Sequence, residues 1–133
     1  MKARAGSMRI GIVGSGLMGG KLGTLFARAG HQVVRAHSGE DGIAAFQRTR
    51  PDLVLLDLKL PDMSGFDVLG RIKEYEPVVI MITGHGDIPL AVQALKEGAE
   101  NFLTKPVDFD HLRVAAERGL EKARLRQLAR YMR

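Results

Sequence analysis

A glycine-rich segment near the start of the chain has the spacing needed to bind a pyrophosphate group. The segment is a G-x-G-x-x-G motif that follows the apolar run at 9–13 and precedes a helical pattern. Its first glycine makes a tight turn, the second lets a phosphate approach the backbone, and the third permits close helix–strand packing. The free N–H groups and positive dipole end of the helix favour an anion. We therefore predict cofactor-binding positions at Gly14, Ser15, Gly16, Leu17, Met18 and Gly19.

Three polar side chains follow three later apolar runs. Asp57 comes directly after residues 53–56, Thr83 ends the run that begins at 78, and Lys105 follows residues 101–104. Because the carboxyl ends of parallel strands meet at one edge of a sheet, we expect a carboxylate, a hydroxyl and an ammonium group to converge there. A single strand-end aspartate usually caps a helix and a single Lys-Pro pair usually forms a turn. The occurrence of all three together predicts a functional site.

Three segments that carry these residues resemble the signature segments of bacterial response-regulator receiver domains. Residues 53–65 (LVLLDLKLPDMSG) look like the phosphoacceptor segment of that family. Residues 82–87 (ITGHGD) and 102–106 (FLTKP) match its later motifs in order and spacing. The resemblance covers about residues 35–130, and the segment 85–89 (HGDIP) is most similar to receivers of transcriptional activators with an ATPase output domain.

The resemblance implies a role for each of four side chains. Asp57 would accept a phosphoryl group from a histidine kinase. Lys105 would contact the phosphoryl oxygens, and Thr83 would hydrogen-bond to them in the activated state. Phe102 would be the aromatic switch residue. The peptide between Lys105 and Pro106 would be cis, a form that is accessible at low cost only before proline.

The acidic pair that holds magnesium in that family is missing from the first strand. Phosphoryl transfer depends on positioning and on neutralising charge, chiefly by Mg²⁺, and Mg²⁺ takes oxygen ligands that usually include carboxylates. Receivers place two acids after the first strand, whereas this chain has Gly14, Ser15 and Gly16. Asp57 and the Lys59 carbonyl are a poor ligand set alone. We therefore expect no Mg²⁺ site and inefficient phosphorylation of Asp57.

Residues 8–34 resemble a different family. They are similar to the N-terminus of NADP-dependent oxidoreductases, especially deazaflavin-linked NADP reductases, and the similarity stops near Val34. Rossmann-type oxidoreductases and receiver domains both begin with a βαβ unit of the same hand, so the unit of one family can replace that of the other. We interpret the chain as an engineered chimera of a Rossmann-derived unit and a receiver. Only the cofactor half of such a reductase is present, so we expect no enzymatic activity.

Two opposing features decide whether the glycine-rich segment binds NADP or NAD. Arg35, His37 or Ser38 could meet a ribose 2′-phosphate, although a role as surface residues and a helix cap is favoured. The predicted strand order places Asp57 beside the glycine loop, where an unneutralised carboxylate would repel a pyrophosphate by on the order of a few kcal/mol before screening. We expect weak dinucleotide or phosphate binding, or none, and no required cofactor.

Alternating strands and helices position these residues. Short apolar runs bounded by glycine or proline alternate with helical patterns five times along residues 1–133. This pattern predicts one α/β domain with a doubly wound parallel sheet, helices on both faces and the flavodoxin-like strand order 2-1-3-4-5. Residues 1–7 form a leader, 8–34 the Rossmann-derived segment and 35–130 the receiver-derived segment. A last helix of roughly 20 residues begins at Asp108 or Asp110.

Composition excludes several classes of function. The chain has no cysteine, which excludes disulfides, zinc-thiolate sites and cysteine nucleophiles. No apolar run approaches the length of a membrane span. The net charge of +5 is concentrated in the last sixteen residues, where no aromatic residue except Tyr131 interleaves, so we interpret them as a solvated helix face. We expect a cytoplasmic (recombinant) protein that binds neither nucleic acid nor membranes. A histidine kinase would be a partner of the receiver family from which the segment derives, and of this chain only through that ancestry.

The last helix offers a surface through which a second copy of the chain could bind, so a homodimer is possible. Apolar residues recur on it at helical spacing, and most of that stripe must cover the sheet, so only the end beyond Ala123 is free for a partner. The residues of the stripe are Leu112, Ala116, Leu120, Ala123 and Leu128.

Overall fold

The computed structural model describes residues 8–14, 19–84 and 88–132, which form a five-stranded parallel sheet. The strands are β1 (Arg9–Val13), β2 (Gln32–Ala36), β3 (Leu53–Asp57), β4 (Val78–Thr83) and β5 (Asn101–Thr104). The helices are α1 (Gly19–Arg28), α2 (Gly39–Thr49), α3 (Gly65–Ile72), α4 (Ile88–Lys96) and α5 (Phe109–Tyr131). A 3₁₀ turn at Lys73–Tyr75 follows α3. The strand order is β2-β1-β3-β4-β5, which confirms the predicted flavodoxin-like α/β fold.

Several predicted features lie outside the described residues. They are the leader at 1–7, the motif positions Ser15, Gly16, Leu17 and Met18, and the segment 85–87. Gly14 and Gly19, which bound the glycine motif, are described: Gly14 follows β1 and Gly19 is the first residue of α1.

The two central strands are buried on both faces because helices cover both sides of the sheet. Every residue of β3 and of β4 is buried. Side chains alternate between two cores, since successive residues of a strand point to opposite faces. Leu55 packs with Leu112 of α5 on one face, and Leu56 packs with Leu69 of α3 on the other.

Local hydrogen bonds set where the helices begin. The Ser38 hydroxyl accepts a hydrogen bond from the Asp41 N–H (3.1 Å), which fixes the start of α2. Ser64 and Asp67 form a reciprocal capping box at the start of α3. Of the two aspartates predicted to open the last helix, Asp108 is the cap, because its carboxylate accepts from the second and third N–H groups that follow it.

Helix α5 runs down the sheet and past its amino edge. Leu112, Ala116 and Ala123 are buried against the strands, as the apolar pattern predicts. Near the amino edge, Arg126 Nη1 donates to the carbonyls of Glu76 (2.9 Å) and Pro77 (3.1 Å). The following apolar residues are exposed, namely Leu128, Tyr131 and Met132. The homodimer through this exposed end stays a prediction.

No helix within the described ranges is both long enough and apolar enough to cross a membrane.

Candidate functional site

Asp57 lies at the carboxyl end of β3 and is almost completely buried, with 5% of its surface exposed. Its Oδ2 atom accepts a hydrogen bond from the Nζ atom of Lys105 at 2.9 Å. Its Oδ1 atom accepts from the backbone N–H of Lys59 at 3.2 Å. The Lys105 side chain is about one-third exposed, so the ion pair stands at the solvent boundary of the sheet edge. Both oxygens of the carboxylate are therefore engaged.

Backbone hydrogen bonds hold the neighbouring strand ends beside Asp57. The N–H of Leu58 donates to the carbonyl of Ile82 (2.7 Å), and the N–H of Lys105 donates to the carbonyl of Thr83 (2.7 Å). Thr83 is the last residue of β4 and is 2% exposed. The structure thus places the three predicted polar residues at one edge of the sheet. It brings Asp57 and Lys105 into direct contact.

The remaining predicted receiver residues surround this edge. Phe102 lies in β5, is half-buried and packs against the core on the α2–α3 side of the sheet. The peptide between Lys105 and Pro106 is cis, as the resemblance implies. Lys59 is exposed in the loop that follows β3.

The backbone of Gly14 occupies the space beside Asp57 on the β1 side. Gly14 has φ +146°, and a Cβ atom added there would lie 2.6 Å from Cβ and 3.1 Å from Oδ2 of Asp57. Its N–H donates to the carbonyl of Ala36 (2.9 Å), which ties the end of β1 to the end of β2. Position 14 thus needs a residue without a side chain, because that conformation is open essentially only to glycine.

The described residues at this edge do not fit a magnesium ion. Mg²⁺ takes a near-octahedral set of oxygen ligands that usually includes carboxylates. Asp57 contributes the carboxylate at the end of β3, its Oδ2 atom is bound to the Lys105 ammonium, and Gly14 brings no side chain. Nowhere in the described ranges do three or more histidine, cysteine, aspartate or glutamate side chains group so as to hold a metal.

The expectation of an unneutralised carboxylate beside the glycine loop is wrong. The structure pairs Asp57 with Lys105 at 2.9 Å. The reason is that β5 lies next to β4, so the residue that follows β5 reaches across the end of β4 to Asp57. Much of the predicted repulsion of a bound phosphate is therefore removed.

The three candidate ribose-binding residues have different surroundings. The guanidinium group of Arg35 lies against Gly23 in α1, where it occupies the position that a side chain at residue 23 would take. Ser38 caps α2, so of the two alternatives for this residue the helix cap is confirmed. His37 is exposed between β2 and α2.

Asp62 was not predicted as a site residue, yet it joins the loop after β3 to α2. Its Oδ1 atom accepts from the Gly39 N–H (2.7 Å) and its Oδ2 atom accepts from the Glu40 N–H (2.9 Å). These backbone hydrogen bonds, that from Glu40 first, hold the pKa of Asp62 below its ordinary value. No local pattern indicates this contact, because the partners are more than twenty residues apart in the sequence.

Replacement of Asp62 by asparagine will lower the midpoint of thermal unfolding at neutral pH, because the two N–H groups lose an ionised acceptor. The pKa of Asp62 is lowered in the folded state, so its contribution is present above the unfolded pKa and is lost as pH falls through the folded pKa. Scanning calorimetry of both proteins between pH 7 and pH 2 tests this. The difference between them should shrink as the solution is acidified, and a difference independent of pH would contradict the role of the charge.

Comparisons with known proteins agree with this geometry. The model of the family described as response regulator receiver domain matches residues 17–117, a range that begins before the predicted junction near Val34. Regulatory protein LuxO of Vibrio cholerae is 48% identical over 88 residues, which are 65% of this chain and 19% of that protein. Transcriptional regulatory protein GlrR of Escherichia coli is 40% identical over 104 residues, 77% of this chain and 23% of that protein. The chain thus spans less than a quarter of the length of these relatives.

Solved structures give the same result. The signal receiver domain of a LuxO repressor protein from Vibrio parahaemolyticus superimposes with a TM-score of 0.82 and 35% identity, covering 92% of this chain and 97% of that one. A CheY-like receiver domain from Methanospirillum hungatei superimposes with a TM-score of 0.82 and 26% identity, covering 90% and 98%.

Proposed function

Because this chain belongs to the response regulator receiver domain family, we propose that it is a phosphoacceptor module in which Asp57 receives a phosphoryl group from a histidine kinase. The observation that carries the proposal is the contact of Lys105 Nζ with Asp57 Oδ2 at 2.9 Å, at the carboxyl edge of the sheet. An ammonium group at that position neutralises the attacking carboxylate and then the phosphoryl oxygens.

The transfer itself is a displacement at phosphorus. An oxygen of Asp57 forms the new P–O bond while the P–N bond of the kinase phosphohistidine breaks and the histidine nitrogen takes up a proton. The carboxylate becomes an acyl phosphate, so Lys105 exchanges its carboxylate partner for a phosphoryl oxygen. Thr83, held at the end of the adjacent strand, supplies a hydroxyl on the same edge.

We propose in addition that this phosphorylation is inefficient. The position that borders Asp57 from β1 is Gly14, and the described residues offer no carboxylate set for Mg²⁺. The charge that accumulates during the transfer is then opposed mainly by Lys105. Since metal ions supply much of this stabilisation in phosphoryl transfer, the reaction should be slow and nearly independent of Mg²⁺.

Intact-mass spectrometry after incubation with acetyl phosphate tests the function. We expect a minor phosphorylated fraction that changes little with Mg²⁺, disappears in Asp57→Asn and persists in Asp110→Asn, a matched loss of an exposed carboxylate. Stoichiometric labelling that requires Mg²⁺ would contradict the inefficiency. Labelling that survives in Asp57→Asn, or no labelling even with a purified histidine kinase, would contradict the phosphoacceptor role.

A second proposal is weak NADP or NAD binding at residues 14–19, in a chain engineered as a chimera. Two observations favour it: Lys105 neutralises Asp57, and Arg35 lies along α1, the helix that follows the motif. Calorimetric titration with NADP at low salt, with ADP as control, should give a dissociation constant no tighter than about 1 mM. Asp57→Asn should strengthen binding, because it leaves Lys105 as an unpaired cation. An NADP titration without a heat signal, or weaker NADP binding in Asp57→Asn, would contradict this second proposal.

A further inference from the structure

A cavity of about 290 Å³ opens at the amino edge of the sheet, opposite the edge that carries Asp57. It lies between the end of α2, the turns that precede β3 and β4, and the C-terminal part of α5. The five residues of β3 separate the two edges by roughly 16 Å. The cavity is therefore independent of the phosphoacceptor site.

Three arginines line this cavity without an ion-pair partner. Arg50, Arg126 and Arg130 all border it. The ion pairs within the described ranges engage other cations, and none places a carboxylate within 4.0 Å of these three guanidinium groups. Nη1 of Arg126 donates to two backbone carbonyls, and its other nitrogens make no such bond to the described residues. Arg130 lies one helical turn further along α5 and is exposed. A guanidinium carries five N–H donors, so donors remain available.

The two acids of the cavity do not balance this charge. Asp52 accepts from the Arg9 N–H at Oδ2 (2.9 Å) and from Gln127 Nε2 at Oδ1 (3.1 Å), so both its oxygens are already engaged in holding β1 and α5. Glu76 is exposed on the rim and forms no ion pair with these arginines. Three positive groups thus face two negative ones, and the cavity attracts anions.

One wall of the cavity is formed by planar groups, in which the Tyr75 and Phe46 rings are tilted by 49° to each other. The guanidinium carbon of Arg50 lies 3.8 Å from the centroid of the Tyr75 ring, and the rings of Tyr75 and Phe46 lie 5.7 Å apart. Arg50 has φ 48°, a left-handed conformation that a residue with a side chain keeps only when its surroundings hold it. Guanidinium planes stack well on aromatic systems, so the other face of Arg50 suits a second planar ring.

We propose that this cavity is a binding site for a small organic anion that combines a planar ring with a phosphate group, the class to which nucleoside monophosphates belong. The phosphate meets Arg126 and Arg130, which can bind its oxygens in the paired geometry that guanidinium groups favour. The ring lies on the stack formed by Arg50 and Tyr75. A volume of about 290 Å³ is at the lower end for small-molecule sites, which suits a mononucleotide better than a dinucleotide.

Titration of the ¹⁵N-labelled protein with AMP, followed by amide chemical shifts, tests this proposal. We expect saturable shifts at the amides of Arg50, Asp52 and Glu76, with adenosine and inorganic phosphate each binding more weakly than AMP. Arg130→Glu should weaken AMP binding by roughly tenfold or more, because a charged hydrogen-bond donor is lost and a repulsive group is gained. The matched control is Arg118→Glu, which reverses an exposed charge on the same helix outside the cavity and should change binding less than about twofold.

Four outcomes would overturn the proposal. They are an absence of saturable shifts up to about 10 mM AMP, shifts that gather at the Asp57 edge instead, equal binding of AMP and inorganic phosphate, and equal loss of affinity in the Arg130 and Arg118 variants. The third outcome would show that the planar wall takes no part. The fourth would show that only the net charge of the helix matters.

Discussion

Replacement of Gly65 by alanine will lower the free energy of unfolding by about 3 kcal/mol, because the first residue of α3 lies directly against the end of β3. An added Cβ atom would lie 2.5 Å from the carbonyl oxygen of Asp57 and 2.9 Å from the Cα of Leu58. Both are backbone atoms of the tightly paired β3 end, so they cannot turn aside as a side chain would. Urea denaturation with linear extrapolation measures the change.

The same helix provides the control. Gly70 lies in α3 with nothing within 4 Å of a Cβ atom added there. Gly70→Ala should raise stability by about 0.5–1 kcal/mol, since alanine is the better helix former. The same substitution at two positions five residues apart is thus expected to change the free energy of unfolding in opposite directions. A Gly65→Ala protein as stable as the parent would show that α3 can move away from β3 at little cost.

Replacement of Gly14 by aspartate, the change that would place an acid after the first strand, will also lower the free energy of unfolding by about 3 kcal/mol and will not create a magnesium site. The backbone at φ +146° disfavours any side chain, and the Cβ atom would lie 2.6 Å from Cβ of Asp57. A second carboxylate would also compete with Asp57 for Lys105. Thermal unfolding with and without Mg²⁺ measures both effects.

Two alanine variants separate the causes of this effect. Gly14→Ala should reproduce most of the loss, because conformation and space are the main costs, and Gly20→Ala in α1 should be neutral or stabilising, because nothing lies within 4 Å of its added Cβ atom. Stabilisation of Gly14→Asp by Mg²⁺ by more than about 1 kcal/mol would mean that the end of β1 rearranges to present its carboxylate, contrary to this prediction.

The strand order and the carboxyl-edge site could be predicted from the sequence because their signals are local. Each strand is a short apolar run with a polar residue at its end, and parallel pairing alone brings Asp57, Thr83 and Lys105 to one edge. The exact end of α3 depends on the residues that follow it. It ends at Ile72 and continues as a 3₁₀ turn, because the left-handed Glu76 and Pro77 tighten its exit.

The features that escaped prediction depend on contacts between distant segments. Asp62 is an ordinary loop aspartate until β1 pairs with both β2 and β3, which brings it to the first N–H groups of α2. The convergence of Lys105 and Asp57 at one edge was predicted, but their direct contact at 2.9 Å follows from strand neighbours and not from spacing. The cavity at the amino edge forms only because α5 is long enough to pass that edge, which places Arg126 beside Pro77.

The length of α5 has a mechanical consequence. At 1.5 Å per residue its 23 residues extend about 35 Å, whereas the six residues of β4 extend about 20 Å. The helix is anchored to the sheet as far as Gln127 and then continues as a rod beyond it. Anything attached to that rod turns with the sheet as one rigid body, and each residue inserted after Gln127 would change its angular phase by about 100° and its distance by about 1.5 Å.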